Sequence, residues 1–474
     1  MKYFITTAIP YVNADLHVGN ALDYVMADVL ARRARLNNEK VVFSTGTDEH
    51  GAKIAEKAKD AGLSVESFVG EMSDKVKDLF GLMDISYDRF TRTTDQSHEK
   101  RAQAVWKILG QDIYKSKYTG WYCVGDEEFF TETVVSQNNG ICPDHNRPYE
   151  RVEEENYFFR LSKYNDQIKQ AITSNTFKIV PAIRRNEILS LLNEGLEDIS
   201  ISRPLDKVSW GIPVPGDEKQ VMYVWFEALL NYLSVIGYPD SAEYKEYWPA
   251  DVQIIGKGIL RFHAGIWPGI LLALDLPLPK TLFVHGYCTI NGQKISKTLG
   301  NVILPADIIK SHGTDAFRYY LLRHVPSYDD GDFSWEAFEE AYNNELANEL
   351  GNALQRTVAM ILRYSEGVIK ELPKVNTPAG YDDALDDFHF DRALTIIWEE
   401  VRELNQYIDI QKPWIIAKND DHQKLQEVLS HQAASLLNIA RLLEPFLPQT
   451  SHKIIESLSS GRVKLITGTL FPKT

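Results

Sequence analysis

Apolar positions near the start of the chain follow the spacing of a strand, then a helix, then a second strand. Residues 2–8 are mainly apolar, apolar side chains recur at helical intervals from Leu22 to Leu30, and residues 41–43 form a second apolar run. A crossover helix of this kind joins two parallel strands in a right-handed unit. The pattern therefore predicts an α/β fold built on a doubly wound parallel, Rossmann-like sheet.

Two later segments predict further strands of the same sheet. Residues 252–255 precede a helical pattern that runs to about Ala273, and residues 281–284 precede a loop that contains glycine. Between about residues 115 and 220 the chain changes to short runs and turns rich in Asn, Gly, Pro and acidic residues. We interpret this stretch as a module inserted into the sheet domain.

The C-terminal part of the chain has a helical pattern. From about Trp335 strand signals almost vanish, and long amphipathic segments predict an all-α bundle. The sequence thus predicts five regions: 1–114 and 221–290 for the two halves of the sheet domain, 115–220 for the inserted module, 291–345 for a loop region that contains lysines, and 346–474 for the bundle.

Composition narrows the class of protein. The 474 residues are 44% hydrophobic and 25% charged, which are ordinary globular values that exclude a disordered or collagenous chain. The net charge of −15 disfavours indiscriminate binding to nucleic acid or to an anionic membrane. Three cysteines are too few for a disulfide framework, so we expect a reducing compartment, the cytoplasm. No signal peptide or membrane span is expected.

A turn at the start of the first predicted helix is the first candidate site. It contains His17 and Gly19 in the segment 9–20. Amides at a helix start point outwards with the positive end of the helix dipole, Gly19 permits close approach of the backbone, and His17 can donate to an anion. The turn suits a phosphate, although an ordinary helix start with an incidental histidine has the same pattern.

A polar loop is the second candidate site. The segment 291–301 places Lys294 and Lys297 three residues apart, with glycines on either side. Lysines on a mobile loop can neutralise the charge that develops on a transferring phosphate. A solvated turn is the alternative for such a pair taken alone.

Together, the His-x-Gly helix start and the Lys-Ile-Ser-Lys-Thr loop resemble the two signature motifs of class I aminoacyl-tRNA synthetases. The resemblance extends along nearly the whole chain and is to the methionyl-tRNA synthetase family in particular. The segments that carry it are residues 46–51 (Gly-Thr-Asp-Glu-His-Gly), 223–228 (Tyr-Val-Trp-Phe-Glu-Ala), 261–263 (Arg-Phe-His) with Trp267, and 412–414 (Lys-Pro-Trp).

The resemblance implies methionine–tRNA ligase activity with ATP and Mg²⁺. In that reaction the methionine carboxylate attacks the α-phosphate of ATP, pyrophosphate leaves, and the methionyl group passes to the 3′ end of the tRNA. Nothing covalent is required of the protein, so catalysis is positioning and charge stabilisation. The implied catalytic residues are His17, Asn20, Lys294 and Lys297. The implied ATP contacts are His17, Gly19, Asn20, Gly256, Gly258 and Lys297.

Some positions depart from the family pattern. Asn20 stands where the family normally has a second histidine, and asparagine can donate a hydrogen bond but carries no charge. Gly258 stands where an acidic residue usually binds the ribose, so only backbone contacts are expected of Gly256 and Gly258. In the lysine loop Ile295 and Thr298 replace the usual methionine and serine, and both lysines are kept.

The resemblance also implies a pocket for methionine. Asp48 can pair with the ammonium group, and sulfur–aromatic contacts suit the thioether. Ordinary core packing is the alternative for each aromatic residue taken alone. The positions that match the family pocket are Ala8, Tyr11, Asp48, Trp225, Ala228, Tyr232, Phe262, His263 and Trp267.

The inserted module contains a candidate metal site. Cys123-x-x-Asp126 and Cys142-x-x-His145 together offer two thiolates, a carboxylate and an imidazole, all of which bind Zn²⁺. Many members of the family have a cysteine at the position of Asp126, and a mixed set of this kind is rarer. The sequence leaves two alternatives, a zinc site and a metal-free knuckle held by packing.

The C-terminal bundle resembles the anticodon-binding domain of the family. Asn352, Arg356 and Trp414 match the positions that read the anticodon, and they combine an amide, a planar guanidinium and a stacking ring. A solvated arginine and a packed core tryptophan are the structural alternatives. Residues 351–474 hold 14 basic and 16 acidic residues, so the bundle is nearly neutral.

The partners implied are L-methionine and methionine tRNA, initiator and elongator, without a membrane. No appended oligonucleotide-binding barrel follows the bundle, so we expect a monomer. Two other functions stay open. A nucleotidyltransferase of the same superfamily shares the helix-start turn, and a non-catalytic tRNA-binding paralogue is conceivable because Asn20, Gly258 and Asp126 depart from the pattern.

Overall fold

The structure is a computed structural model. It describes residues 1–125, 128–130, 132–143, 146–295, 300–369, 371–466 and 468–473, with only the backbone of Glu128 and Lys294. The chain divides into two compact units. The first unit comprises Met1–Leu16, Asn38–Phe80 and Ser86–Val284, and the second comprises His17–Asn37, Gly81–Ile85 and His285–Thr474.

The strands of the described residues are numbered in chain order. They are β1 (Lys2–Thr7), β2 (Lys40–Thr47), β3 (Arg89–Arg92), β4 (Ile113–Cys123), β5 (Glu128–Phe130), β6 (Ile141–Cys142), β7 (Arg147–Pro148), β8 (Glu150–Phe159), β9 (Lys178–Val180), β10 (Ile199–Ser200), β11 (Ser202–Pro204), β12 (Pro213–Val214), β13 (Asp217–Met222), β14 (Val252–Gly256), β15 (Thr281–His285), β16 (Cys288–Ile290), β17 (Gln293–Lys294) and β18 (Gly331–Phe333).

The α-helices follow the same convention. They are α1 (Val18–Leu36), α2 (Ala52–Asp60), α3 (Val65–Leu82), α4 (Gln96–Leu109), α5 (Glu132–Gln137), α6 (Asn165–Thr173), α7 (Ala182–Glu194), α8 (Val224–Leu229), α9 (Asn231–Ser234), α10 (Tyr244–Tyr247), α11 (Trp267–Ala273), α12 (Pro305–His312), α13 (Thr314–Arg323), α14 (Trp335–Ala341), α15 (Asn352–Ser365), α16 (Tyr381–Asp386), α17 (Phe390–Gln411), α18 (Pro413–Lys418), α19 (His422–Leu443) and α20 (Pro448–Leu458). π-Helical turns cover Phe262–Ile266 and Tyr342–Gly351, and 3₁₀ turns cover Gly110–Asp112, Leu161–Tyr164 and Lys257–Ile259.

A six-stranded sheet forms the centre of the first unit. Its strand order is β3-β2-β1-β14-β15-β9, and the pairs β3–β2, β2–β1, β1–β14 and β15–β9 are parallel. The prediction of a doubly wound parallel sheet is therefore confirmed. Helices and aromatic side chains pack on the sheet, with Phe4, Phe226 and Trp267 among the fully buried members of the main core.

Antiparallel sheets interrupt this parallel sheet, as the predicted insertion required. The longest pairing joins β4 to β8 within a sheet of order β10-β8-β4-β5, and smaller sheets of order β11-β13-β12 and β6-β7 follow. One difference from the sequence prediction is β9, which lies in the range expected for the inserted module but pairs with β15 in the main sheet. Three residues are too few to carry a recognisable alternation.

The second unit is mainly helical, which confirms the predicted C-terminal bundle. Its long helices include α15, α17 and α19. Buried apolar residues such as Leu394, Ile397 and Leu436 recur at helical spacing along these helices and form the bundle core. Among the described residues, no helix is both long and apolar enough to cross a membrane.

A fully buried arginine joins separate segments of the second unit. Arg318 of α13 pairs with Asp28 of α1 at 2.7 Å, and neither side chain is exposed. The same guanidinium donates to the carbonyl oxygens of Phe446 at 2.7 Å and Pro445 at 3.1 Å. Because a buried charge is costly unless it is paired, this arrangement holds α1 to α13 and to the turn before α20.

Candidate active site

The first part of the candidate site lies at the carboxyl ends of the central strands of the first unit. The strand order changes direction between β1 and β14, and ligands of doubly wound sheets bind outside the carboxyl ends at such a point. Just beyond β1 and β2, Tyr11 and Asp48 form a parallel bridge. The backbone of Asp48 donates to the carbonyl of Pro10 at 2.9 Å and accepts from the amide of Val12 at 3.1 Å.

Two aromatic side chains of the first unit stack on each other. Trp225, half-buried on α8, stacks on Phe262 with ring centroids 4.0 Å apart and planes inclined by 18°. Phe262 opens the π-helical turn Phe262–Ile266, and such turns are frequent at functional sites because they redirect side chains. Trp225 and Phe262 belong to the same apolar cluster as Ala8 and Tyr11.

The buried His263 follows Phe262, and its hydrogen bonds define its tautomer. Its Nδ1 lies 3.0 Å from the carbonyl oxygen of Ile259, which can only accept, so Nδ1 carries a proton. Its Nε2 lies 2.7 Å from the hydroxyl of Tyr232, and in the neutral ring Nε2 accepts a hydrogen bond from this hydroxyl. With a neutral imidazole, the pair presents an uncharged polar group inside an aromatic surrounding.

Trp267 and Ala228 lie deeper in the core of the first unit. Trp267 is fully buried, with its ring 5.6 Å from that of Tyr232, and its indole N–H donates to Gln253 at 3.1 Å. Gln253 donates in turn to the hydroxyl of Thr6 at 3.2 Å. Ala228 is buried on α8. These contacts fix the ring of Trp267 against that of Tyr232.

Two glycines predicted to contact ATP also lie in the first unit. Gly256 ends β14, and Gly258 lies in the 3₁₀ turn Lys257–Ile259 that follows. Both stand at the carboxyl end of a central strand, and their contact with ATP stays a prediction.

In the second unit, Asn20 has a structural role at the start of α1. His17 is the residue before the first helical turn, and its backbone N–H donates to Asn20 Oδ1 at 3.0 Å. The side-chain oxygen of Asn20 thus satisfies a backbone N–H at the start of the helix. The NH₂ of the same side chain is a hydrogen-bond donor. A donor, rather than a charge, is what this position offers to an anion.

Gly19 brings the two sequence motifs together. A side-chain carbon on Gly19 would lie 3.2 Å from the His17 ring and 3.3 Å from Ile295 Cδ1, closer than an ordinary contact. Ile295 lies at the base of the lysine loop, and the absence of a side chain at Gly19 leaves room for it at the helix start. The structure therefore places Ile295 beside the turn that contains His17.

An acidic side chain, Asp332, holds the base of the lysine loop. Asp332 Oδ1 accepts from the Thr289 hydroxyl at 2.6 Å and from the Gly292 amide at 2.8 Å. The backbone of Lys294 pairs with Thr289. Lys297 lies outside the described residues.

A buried histidine that was not predicted from the sequence, His285, ends β15 and precedes β16. His285 Nε2 is 3.2 Å from Asp23 Oδ1, and Asp23 is one turn along α1 from Asn20. Burial lowers the pKa of His285, but the carboxylate of Asp23 outweighs burial and raises the pKa above its ordinary value. This ion pair ties α1 to His285, which stands just before β16.

A buried carboxylate of the first unit, Glu227, was also not predicted from the sequence. Glu227 of α8 lies 2.9 Å from His50 and 3.0 Å from His98. A charged residue inside the otherwise apolar segment Val224–Leu229 was the available signal. Its partners lie far away in the sequence and could not be read from it.

The candidate metal residues are described in part. Cys123 and Cys142 are buried in one small apolar cluster of the first unit with Val135 and Tyr149, and neither forms a disulfide. Asp126 and His145 lie outside the described residues. Within the part of the chain that is described, no three His, Cys, Asp or Glu side chains are grouped for a metal ion.

The residues implied in anticodon binding lie on neighbouring helices of the bundle. Asn352 and Arg356 are one turn apart on α15, which packs against α17 and α18. Arg356 forms an ion pair with Asp409 of α17, and Trp414, at the start of α18, is 37% exposed. The ring is thus accessible, unlike the fully buried Trp398 of α17.

Comparison with known proteins gives matches along the chain. A family model described as "tRNA synthetases class I (M)" matches residues 3–358, and one described as "Anticodon-binding domain of tRNA ligase" matches residues 376–473. The chain is 44% identical over 473 residues to the methionine–tRNA ligase of Caldanaerobacter subterraneus subsp. tengcongensis, with 96% of this chain and 74% of that protein covered. It is also 44% identical to the methionine–tRNA ligase of Clostridium perfringens, with 97% and 73% covered.

Solved structures give the same relationship. Mycobacterium tuberculosis methionyl-tRNA synthetase in complex with methionyl-adenylate is similar to this chain with a TM-score of 0.93, 35% identity and full coverage of both chains. A second structure of that enzyme, in its apo form, has a TM-score of 0.86 and 33% identity, with 100% of this chain and 98% of the other covered.

Proposed function

Since the chain belongs to the methionyl-tRNA synthetase family of class I tRNA synthetases, we propose specific roles for the residues described above. Its function is that of a methionine–tRNA ligase, which uses ATP to activate methionine and then charges tRNA. The observation that supports the assignment of the amino-acid site is the stacked pair Trp225 and Phe262. The helix of Trp225 contacts the turn after Asp48, because its Glu227 lies 2.9 Å from His50.

A methionine site needs one anionic group for the ammonium group and polarisable apolar residues along the thioether side chain. Asp48 pairs with the ammonium group of the amino acid, and Trp225 and Phe262 contact the thioether side chain. Tyr232 and His263 face it with a neutral hydrogen-bonded pair, which accommodates sulfur without the cost of burying a charge. The remaining members of the set are Ala8, Tyr11, Ala228 and Trp267.

Adenylate formation requires positioning and neutralisation of phosphate charge. An oxygen of the methionine carboxylate forms a bond to the α-phosphorus of ATP, and the bond from that phosphorus to the pyrophosphate oxygen breaks. His17 and the amide of Asn20 donate to the phosphates at the start of α1, and Lys294 and Lys297 neutralise the developing charge. ATP enters with Mg²⁺, which shields the charge of its phosphates. The backbones of Gly19, Gly256 and Gly258 allow close approach of the nucleotide.

Recognition of tRNA uses a few placed groups rather than a basic surface. Asn352 and Arg356 bond to the edges of unpaired anticodon bases, and Trp414 stacks on one of them. The ion pair of Arg356 with Asp409 orients the guanidinium before the tRNA arrives. Non-specific attraction is weak because residues 351–474 are nearly neutral, with 14 basic and 16 acidic residues.

We also propose a structural zinc site in the inserted module. Two of the four candidate ligands, Cys123 and Cys142, are buried in a common cluster, which fits a thiolate pair that shares one ion. Asp126 and His145 complete the set. The ion would supply a cross-link that holds the knuckle together, and the alternative is a knuckle held by packing alone.

Location and assembly are proposed on chemical grounds. Three cysteines that form no disulfide and a role in translation fit the cytoplasm. We expect the chain to act as a monomer. The division into five regions stays a prediction.

Methionine-dependent exchange of pyrophosphate into ATP tests the activity. We expect exchange that requires methionine, and a loss of about 100-fold or more in kcat for His17→Ala because a phosphate donor is removed. A nucleotidyltransferase would show no dependence on methionine. Absence of all exchange in folded protein would favour a non-catalytic tRNA-binding paralogue.

Trp225→Ala tests the methionine pocket. Removal of the ring should raise the KM for methionine by about 10–100-fold, because the apolar contact with the side chain is lost. Steady-state exchange at varied methionine concentrations measures it, and Trp335→Ala, a partly exposed tryptophan of the other unit, is the matched control. An unchanged KM for methionine would remove Trp225 from the pocket.

Trp414→Ala tests the anticodon assignment. Loss of a stacking ring should lower kcat/KM for tRNA charging by about 10–100-fold while pyrophosphate exchange stays nearly intact. Leu362→Ala, at an apolar residue of equal exposure on α15, is the control. An equal fall in exchange would mean that Trp414 is structural.

Metal analysis of protein purified without added metal tests the zinc proposal. We expect about one Zn²⁺ per chain, and a marked loss of zinc in Cys142→Ser because one thiolate is removed. Thermal denaturation of both proteins serves as the control for folding. Folded wild-type protein without stoichiometric zinc would contradict the zinc proposal and support a knuckle held by packing alone.

A further inference from the structure

A buried group of charged side chains adjoins the candidate methionine pocket, and no step of the proposed reaction uses it. Glu227 has no exposed surface and lies on α8 between Trp225 and Ala228. Each of its carboxylate oxygens faces an imidazole. His50 Nδ1 is 2.9 Å from Oε1, and His98 Nε2 is 3.0 Å from Oε2.

The protons of this group follow from its chemistry. An ionised carboxylate only accepts, so both imidazole nitrogens that face Glu227 donate. Burial lowers the pKa of His50, but the carboxylates of Glu227, Glu99 and Glu49 outweigh burial and raise it above its ordinary value. Burial likewise raises the pKa of Glu227, but His50 and His98 outweigh burial and hold it below its ordinary value. Both shifts favour an ionised pair.

On one side the group holds the turn that contains Asp48. His50 follows Asp48 by two residues, and Glu49 between them accepts from Arg92 at 2.8 and 2.9 Å. The carbonyl of Glu49 accepts from the indole of Trp210 at 2.7 Å. The turn beyond β2 is therefore held by Arg92 through Glu49 and by Glu227 through His50.

On the other side the group holds a helix that is too short to be stable alone. α8 has six residues, and isolated helices of that length are marginal. Glu227 lies in its first turn, where a negative charge is favoured. His98 of α4 continues the chain of hydrogen bonds to Ser234 of α9 at 2.8 Å.

We propose that Glu227, His50 and His98 are positioning residues, a buried charged clamp that holds the helix carrying Trp225 against the strand end carrying Asp48 and so sets the affinity for methionine. The inference rests on the proposed methionine site, because the clamp acts through Trp225 and Asp48. Removal of one charge leaves the other buried and unpaired, which the protein relieves by moving α8 or the Asp48 turn. ATP contacts are not part of the clamp.

Glu227→Gln is the first test, since it removes the charge and keeps the volume. The KM for methionine in pyrophosphate exchange should rise about tenfold, while the KM for ATP and kcat stay within about twofold of the wild type. Glu99→Gln is the matched control, because Glu99 also faces His50 but at 3.9 Å and with a side chain that is 38% exposed. Its KM for methionine should stay within about twofold.

His50→Asn is the second test and covers a failure of Glu227→Gln to fold. The asparagine amide keeps a donor near the position of Nδ1 but carries no charge. In the wild type the charge of His50 is fully present below about pH 6.5 and is lost as the pH rises through its raised pKa. The KM for methionine should therefore rise with pH in the wild type and rise less in His50→Asn. In Glu99→Gln the rise should persist but begin at a lower pH, because a carboxylate that raises the pKa of His50 is removed.

The outcomes separate this inference from the proposed function. Wild-type exchange that depends on methionine supports the function whatever the variants do. A KM for methionine unchanged in either folded variant would overturn the clamp. So would an equal rise of the KM values for methionine and ATP together with a lower melting temperature, which indicates a general loss of structure. A selective rise of the KM for methionine supports the clamp.

Discussion

The candidate site depends on the parallel pairing of β1 between β2 and β14. This register brings Tyr11, Asp48 and Gly256 to one edge of the sheet, although they are far apart along the chain. The change of direction in strand order at β1 and β14 opens a crevice there.

Buried charge is used in the same way within each unit. In the first unit Glu227 pairs with His50, and in the second Arg318 pairs with Asp28. Such pairs add little net stability, since desolvation offsets much of the attraction. Their consequence is geometric, because a buried charge can be satisfied only when its partner is in place. Each pair therefore selects one arrangement of the helices and strands that contribute to it.

Asn20 illustrates how a departure from a family pattern fits the local structure. Its side-chain oxygen accepts from the backbone of His17 and closes the start of α1, which leaves the amide group as a donor. A second histidine there could be protonated, whereas asparagine stays neutral at every pH. In the proposed reaction, the positive charge at the phosphates then comes from the lysines of the loop, and the start of α1 supplies hydrogen-bond donors. Gly19 leaves room for Ile295 at the base of that loop.

The sequence by itself determined the elements with a long local period and the family. The first strand, helix and strand and the C-terminal helices were predictable because alternation and helical spacing are local properties, and the motifs around His17, Asp48 and Trp225 are contiguous. Tertiary structure alone decided the rest. The short strands β3 and β9 carry too few residues for a period, and Glu227 meets His50 across 177 positions of the chain. Such contacts depend on how distant segments pack, and no local pattern encodes that.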